Sequence, residues 1–130
     1  MRIRGFAPST PCWVELTTSN PARAARFYGD LFDMKPVFAT PGYVSFDLGG
    51  GVSLSLWSRS GVDFAANPVR TSEVCLAVDR AGAPASVDAL CEEWRGKGVR
   101  IVDEPRDEVF GRTFVAADPD GNLIRVAPVD

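Results

Sequence analysis

A chain of 130 residues with 45% hydrophobic content is long enough for one real core and short for two ordinary domains, so a single domain over 1–130 is expected. Lys and Arg number 14 against 17 Asp and Glu, for a net charge of -3, which excludes the basic footprint of a nucleic-acid binder. No apolar export segment follows Met1 and no run approaches the roughly 18 apolar residues of a membrane span, so the chain reads as cytoplasmic, with no membrane partner.

From Met1 to Thr10 the chain is a short polar lead, with Pro8 and Pro11 as breakers. Cys12 to Thr18 alternates, Val14 and Leu16 on one face and Trp13, Glu15 and Thr17 on the other, the pattern of a half-buried strand. Asn20-Pro21 is a helix start: Asn20 can cap free amides, and Pro21 fits the first helical position, where an N–H is not needed. Ala24, Phe27, Tyr28 and Leu31 then recur at helical spacing up to Met34. Short strands follow at Lys35–Ala39 and Tyr43–Leu48, and Gly49-Gly50-Gly51 turns the chain into a further strand, Val52–Trp57. The first half thus reads β-α-β-β-β. Ser58 to Pro68 has breakers and no period, and a linker is placed at about 59–70 between a first module of about 11–58 and a second of about 71–128.

The plan then repeats. Ser72–Val78 alternates, with Val74, Leu76 and Val78 opposite Glu73, Cys75 and Ala77. Ala85–Lys97 carries Val87, Leu90, Cys91 and Trp94 at helical spacing, Val99–Val102 is a short strand, and Glu108–Ala117 a longer one. Asp103-Glu104 and Asp107-Glu108, interrupted by Pro105, read as a solvated loop. Asp118-Pro119-Asp120-Gly121-Asn122 is a tight turn between apolar runs, so the chain closes on a hairpin whose last strand carries Arg125 between Ile124 and Val126. The turn lacks the spacing and final Glu of a calcium loop, and the glycine triplet lacks the lysine and helix of a phosphate loop. A duplication with a period of about sixty residues accounts for both halves.

Histidine is absent, which removes the commonest general base and metal ligand at neutral pH. Cys12, Cys75 and Cys91 are widely spaced without a C-x-x-C, and they are expected to be buried free thiols.

The opening strand, the Asn20-Pro21 helix with Phe27-Tyr28 and Leu31-Phe32, the strand ending Ala77-Val78-Asp79, and the terminal Phe114-Val115 with Asp118-Pro-Asp-Gly-Asn122 together resemble the vicinal oxygen chelate superfamily of glyoxalase I, bleomycin-resistance proteins and extradiol dioxygenases. The resemblance covers about Cys12 to Val126. It implies an α+β fold of two βαβββ modules, their curled mixed sheets forming a cleft with helices on the convex side, and in most short members a homodimer. Metal ligands in the superfamily sit at positions that here fall on Trp13, near Ser55, on Glu73 and on Arg125. Three of these are non-ligands and Arg125 would repel a cation, so no metal and no cofactor are expected.

Alternation gives a cavity face of Trp13, Glu15, Thr17, Ser53, Ser55, Trp57, Glu73, Cys75, Arg112, Phe114, Leu123 and Arg125, large aromatics with a few charges, as in ligand pockets. Trp13, Trp57 and Phe114 would stack a planar ligand, with Ser55 beside it and Arg112 or Arg125 holding an acid or carbonyl group. Packing in a core or a dimer interface accounts for the aromatics equally well. Glu73 and Arg125 are expected to pair across neighbouring strands, and Glu15 or Glu73 are candidate general bases, though an arginine-neutralised carboxylate is the poorer base. The reading is a small-molecule-binding protein that sequesters an aromatic or planar ligand without a metal, by analogy with the bleomycin-resistance branch. The alternatives are a metal-independent isomerase or lyase using Glu15 or Glu73, or an atypical glyoxalase-like metalloenzyme.

Overall fold

A computed structural model describes residues 10–58 and 72–128; the expected polar lead, apart from Thr10, and the linker at about 59–70 lie outside the described residues. The chain divides into two compact units on either side of the 62/63 bond.

The first unit contains β1 (Cys12–Thr17), α1 (Pro21–Phe32), β2 (Phe38–Thr40), β3 (Tyr43–Gly49) and β4 (Val52–Trp57). The sheet order is β1-β4-β3-β2, with β1 parallel to β4 and the other pairs antiparallel. The start of α1 follows from its sequence: the Asn20 side chain accepts a hydrogen bond from the Arg23 amide at 3.0 Å and Pro21 opens the helix. It ends where Asp33 turns left-handed at φ 52 and donates its N–H to the Gly29 carbonyl. Gly49, which ends β3, and Gly50 and Gly51 of the turn all have positive φ, which explains a glycine triplet at the β3–β4 turn: three successive residues with a Cβ would each be strained there. Ala24, Tyr28 and Leu31 of α1 pack over Val44 and Phe46 of β3 and Leu54 and Leu56 of β4, all buried. Burial of each large side chain contributes about 1.5–3 kcal/mol.

The second unit contains β5 (Glu73–Val78), a single 3-10 turn (Arg80–Gly82), α2 (Ala85–Gly96), β6 (Arg100–Glu108), β7 (Gly111–Ala117) and β8 (Leu123–Pro128). Its sheet order, β5-β8-β7-β6, repeats the first, again with the opening strand parallel to the closing one. Val87, Cys91 and Trp94 of α2 are buried, and the Trp94 and Phe114 rings meet edge to face with centroids 5.3 Å apart. Both units are therefore βαβββ, an α+β arrangement of two four-stranded mixed sheets.

Two expectations are corrected. The acidic stretch is not a loop: Asp103 to Glu108 continues β6, and β7 begins only at Gly111. As the last strand in its sheet, β6 needs amides for one neighbour alone, and Pro105 falls between the register shifts at Asp103 and Arg106, where a missing N–H is tolerated. The carboxylates gain arginine partners, Arg95 to Glu104 and Arg106 to Glu108. Of the three cysteines, only Cys91 is buried; Cys12 and Cys75 are exposed. They sit on β1 and β5, each the last strand on one side of its own sheet, where an apolar run does not guarantee cover.

The closing turn is built around Asp118, which is 5% exposed. Its Oδ1 accepts from the Asp120 and Asn122 amides at 2.9 and 2.8 Å, and its Oδ2 from the Asn122 side-chain amide at 2.8 Å. Gly121, at φ 87, supplies the left-handed corner.

Candidate functional site

Each sheet has one face under its helix and one face turned away from it, the far face. In the first unit the register arranges the far face as three rows. Trp13 stands beside Ser53 and Asp47, Glu15 beside Ser55 and Ser45, and Thr17 beside Trp57 and Tyr43. Phe38 of β2 lies opposite Ser45 and extends the same face, its ring 6.1 Å from that of Tyr43. The sequence order Trp13-x-Glu15-x-Thr17 and Ser53-x-Ser55-x-Trp57 produces this grid because side chains alternate along a strand.

Trp13 is 61% and Trp57 42% exposed, so neither ring belongs to the core of its unit. Ser55, between their rows, is 1% exposed and donates to Ser45 Oγ at 3.3 Å. Glu15 is exposed and, among the described residues, makes no hydrogen bond or ion pair.

In the second unit, Glu73 and Arg125 occupy the far face and are paired. Arg125 Nε lies 3.1 and 3.2 Å from the two Glu73 oxygens, and its Nη2 3.0 Å from Oε2. Its Nη1 donates to Thr113 Oγ1 at 3.1 Å, and that hydroxyl donates to the Val126 carbonyl at 2.7 Å. The hydrogen bond to Glu73 raises the Arg125 pKa above the ordinary arginine value, against the opposing effect of burial. All three guanidinium nitrogens are thus committed within the unit. Glu73, held by two of them, is placed less freely than Glu15 for contact with a ligand.

Arg112 and Phe114 are not on this face. Phe114 lies opposite Val126, whereas Val115 lies opposite Arg125, so Phe114 points under α2 and is 0% exposed. Arg112 shares that side: its Nε donates to Asp88 Oδ1 of α2 at 3.0 Å and its Nη1 to Asp107 at 3.4 Å, and the Asp88 bond raises its pKa. The five residues of the turn, Asp118 to Asn122, put β7 and β8 out of the phase that grouped Phe114 with Arg125. Counting outward from the observed Ala117–Leu123 pair puts Thr113, rather than Phe114, on the face of Arg125. A shallow cavity of about 240 Å³ borders Arg112, Arg80, Pro84, Asp107 and Pro128. Arg80 there donates to the Phe110 carbonyl at 3.1 Å, and Arg112 is held as above.

Among the described residues no group of three or more His, Cys, Asp or Glu side chains could hold a metal ion. The residues at the superfamily's ligand positions do not fit one: Trp13 offers no ligand atom and Glu73 is neutralised by Arg125, itself at another of the four positions.

The sequence model of the Glyoxalase/Bleomycin resistance protein/Dioxygenase superfamily matches residues 11–126. A phenazine antibiotic resistance protein, EhpR of Enterobacter agglomerans, is 37% identical over 124 residues, covering 93% of each chain. The solution structure of ATC0852 from Agrobacterium tumefaciens matches with a TM-score of 0.75 at 32% identity, covering 92% of this chain and 97% of that one. A lactoylglutathione lyase from the same organism matches with a TM-score of 0.72 at 22% identity, over 93% and 94%, a likeness of fold alone.

Proposed function

The chain belongs to the Glyoxalase/Bleomycin resistance protein/Dioxygenase superfamily, and from that premise we propose that it binds and sequesters a planar aromatic molecule of the phenazine type on the far face of its first sheet, without a metal. The observation that carries this reading is the placement of Trp13 and Trp57, both well exposed, on one sheet face with the polar row Glu15, Ser55 and Ser45 between them. Covering these exposed indole rings with a flat apolar molecule is favourable, and each stacking contact contributes about 0.5–1.5 kcal/mol beyond the area it buries. The relationship to a phenazine resistance protein over 93% of the chain supports the same ligand class. As part of this reading the protein is a cytoplasmic homodimer, which native mass spectrometry of the purified protein tests directly for subunit number.

The test is calorimetric titration with phenazine. Binding should be unaffected by EDTA, and Trp13→Ala or Trp57→Ala should weaken it at least tenfold, by loss of roughly 1.4 kcal/mol or more, with the circular dichroism spectrum retained. Unchanged affinity in both variants would overturn the reading.

Glu15 favours a second reading, a metal-independent isomerase or lyase with this carboxylate as base, because it is exposed beside Trp13 and uncommitted among the described residues. Conversion of a bound ligand that is lost in Glu15→Gln while binding persists would establish it.

A further inference from the structure

Resting on the reading above, we infer that the aromatic face selects a cationic ligand: a planar nitrogen heteroaromatic carrying a positive charge, in preference to its neutral or acidic counterparts. The sequences of β1 to β4 contain no lysine and no arginine, so the far face of the first sheet has no cation of its own strands to meet a ligand's acid group. Its charged side chains are two carboxylates, Glu15 and Asp47. Asp47 is occupied by the turn that follows it, its Oδ1 accepting from the Gly49 amide at 2.8 Å. Glu15 is exposed and has no partner among the described residues.

The position of Glu15 makes it the group that a ligand's charge would meet. It lies two residues from Trp13 on the same strand, and beside Ser55, itself two residues from Trp57. Both indoles therefore flank the row that holds the carboxylate. The face of an indole ring is itself electronegative and attracts a cation. Aromatic rings and carboxylate thus act in one direction, stacking the ring system and offsetting its charge, and each disfavours an anion. The second sheet differs: its strands contain Arg100, Arg106, Arg112 and Arg125, and Arg125, the one whose far-face contacts are described above, is already engaged by Glu73 and Thr113.

The probes are N-methylphenazinium, whose charge is permanent, neutral phenazine, and phenazine-1-carboxylate, titrated calorimetrically into the wild-type protein at low and high salt. The expected order is cation, neutral, anion, with the cation about tenfold tighter than phenazine at low ionic strength and the gap narrowing as salt is added. In Glu15→Gln the cation-to-neutral ratio should fall below about threefold, and Glu15→Lys should move the preference toward the carboxylate. Equal affinity for cation and neutral ligand, or a ratio unchanged in Glu15→Gln, overturns the inference while leaving a phenazine-binding protein in place. If none of the three binds, the functional reading fails and the inference with it.

Discussion

Arg125 holds Glu73, 52 positions away in the chain, by two guanidinium nitrogens, and places the third on Thr113. The contact ties β5, β8 and β7 together on one face, and because the two side chains are 21% and 26% exposed it is neither a surface pair nor a fully buried one. Its contribution should fall between those limits, at about 1–2 kcal/mol. Arg125→Met should lower the urea midpoint accordingly, and a double-mutant cycle with Glu73→Gln should return a coupling of about 1 kcal/mol. Because the Arg125 pKa is raised on folding, its contribution is fully present below the ordinary arginine value and is lost only as pH rises through the still higher folded one. No loss from this arginine is therefore expected anywhere in the neutral or moderately alkaline range.

Phe114 gives the sharper test of face assignment. It is fully buried against Trp94, so Phe114→Ala should cost about 3–5 kcal/mol in chemical denaturation. Phenazine affinity of the remaining folded protein should not change. A stable variant with impaired binding would return Phe114 to the ligand face.

Much of this arrangement was legible in the sequence, for reasons that particular residues make plain. Asn20-Pro21 and Gly49 to Gly51 act through local geometry, so the start of α1 and the β3–β4 turn follow directly. The Glu73–Arg125 pair was accessible through the family resemblance, which implies a fold in which their strands are neighbours. What escaped was the phase of β7 relative to β8: Arg112-Thr113-Phe114 contains no strict polar alternation, and one residue of slip moves every side chain to the opposite face. The reach of β6 also escaped, since Pro105 and four acidic residues mimic a loop when the strand has only one neighbour to bond. The exposure of Cys12 and Cys75 depends on strand order, which composition does not carry.

Those cysteines should behave differently from Cys91. Burial pushes the Cys91 thiol above its ordinary 9.0, against the lowering influence of Arg95. In native protein at pH 8, iodoacetamide should modify Cys12 and Cys75 and spare Cys91, as peptide mapping would show. A raised folded pKa means that the associated stability is fully present below 9.0 and is lost as pH rises through the higher folded value. Stability should thus decline above that pH, and the decline should be shallower in Cys91→Ala, measured against the variant's own neutral-pH stability.

The turn at Asp118 should be sensitive to one side chain. Asp118→Ala removes three acceptor contacts, leaving the Asp120 and Asn122 amides to find others, and should cost about 1–3 kcal/mol. Gly121→Ala should cost about 1 kcal/mol through its positive φ alone, since a Cβ there would meet open space. Thermal denaturation of the two variants separates the polar cost from the backbone cost.

The three tryptophans permit the most direct measurement of all, because Trp13 and Trp57 lie on the far face of the first sheet while Trp94, on the buried side of α2, is 3% exposed and packed against Phe114. Each indole N–H gives its own signal in a nitrogen–proton correlation spectrum, assignable by single substitution to Phe. On adding N-methylphenazinium or phenazine, the Trp13 and Trp57 signals should shift together with one binding curve and the Trp94 signal should stay in place. Movement of Trp94 with the other two unmoved would contradict the account, as would saturation of binding with all three signals unchanged.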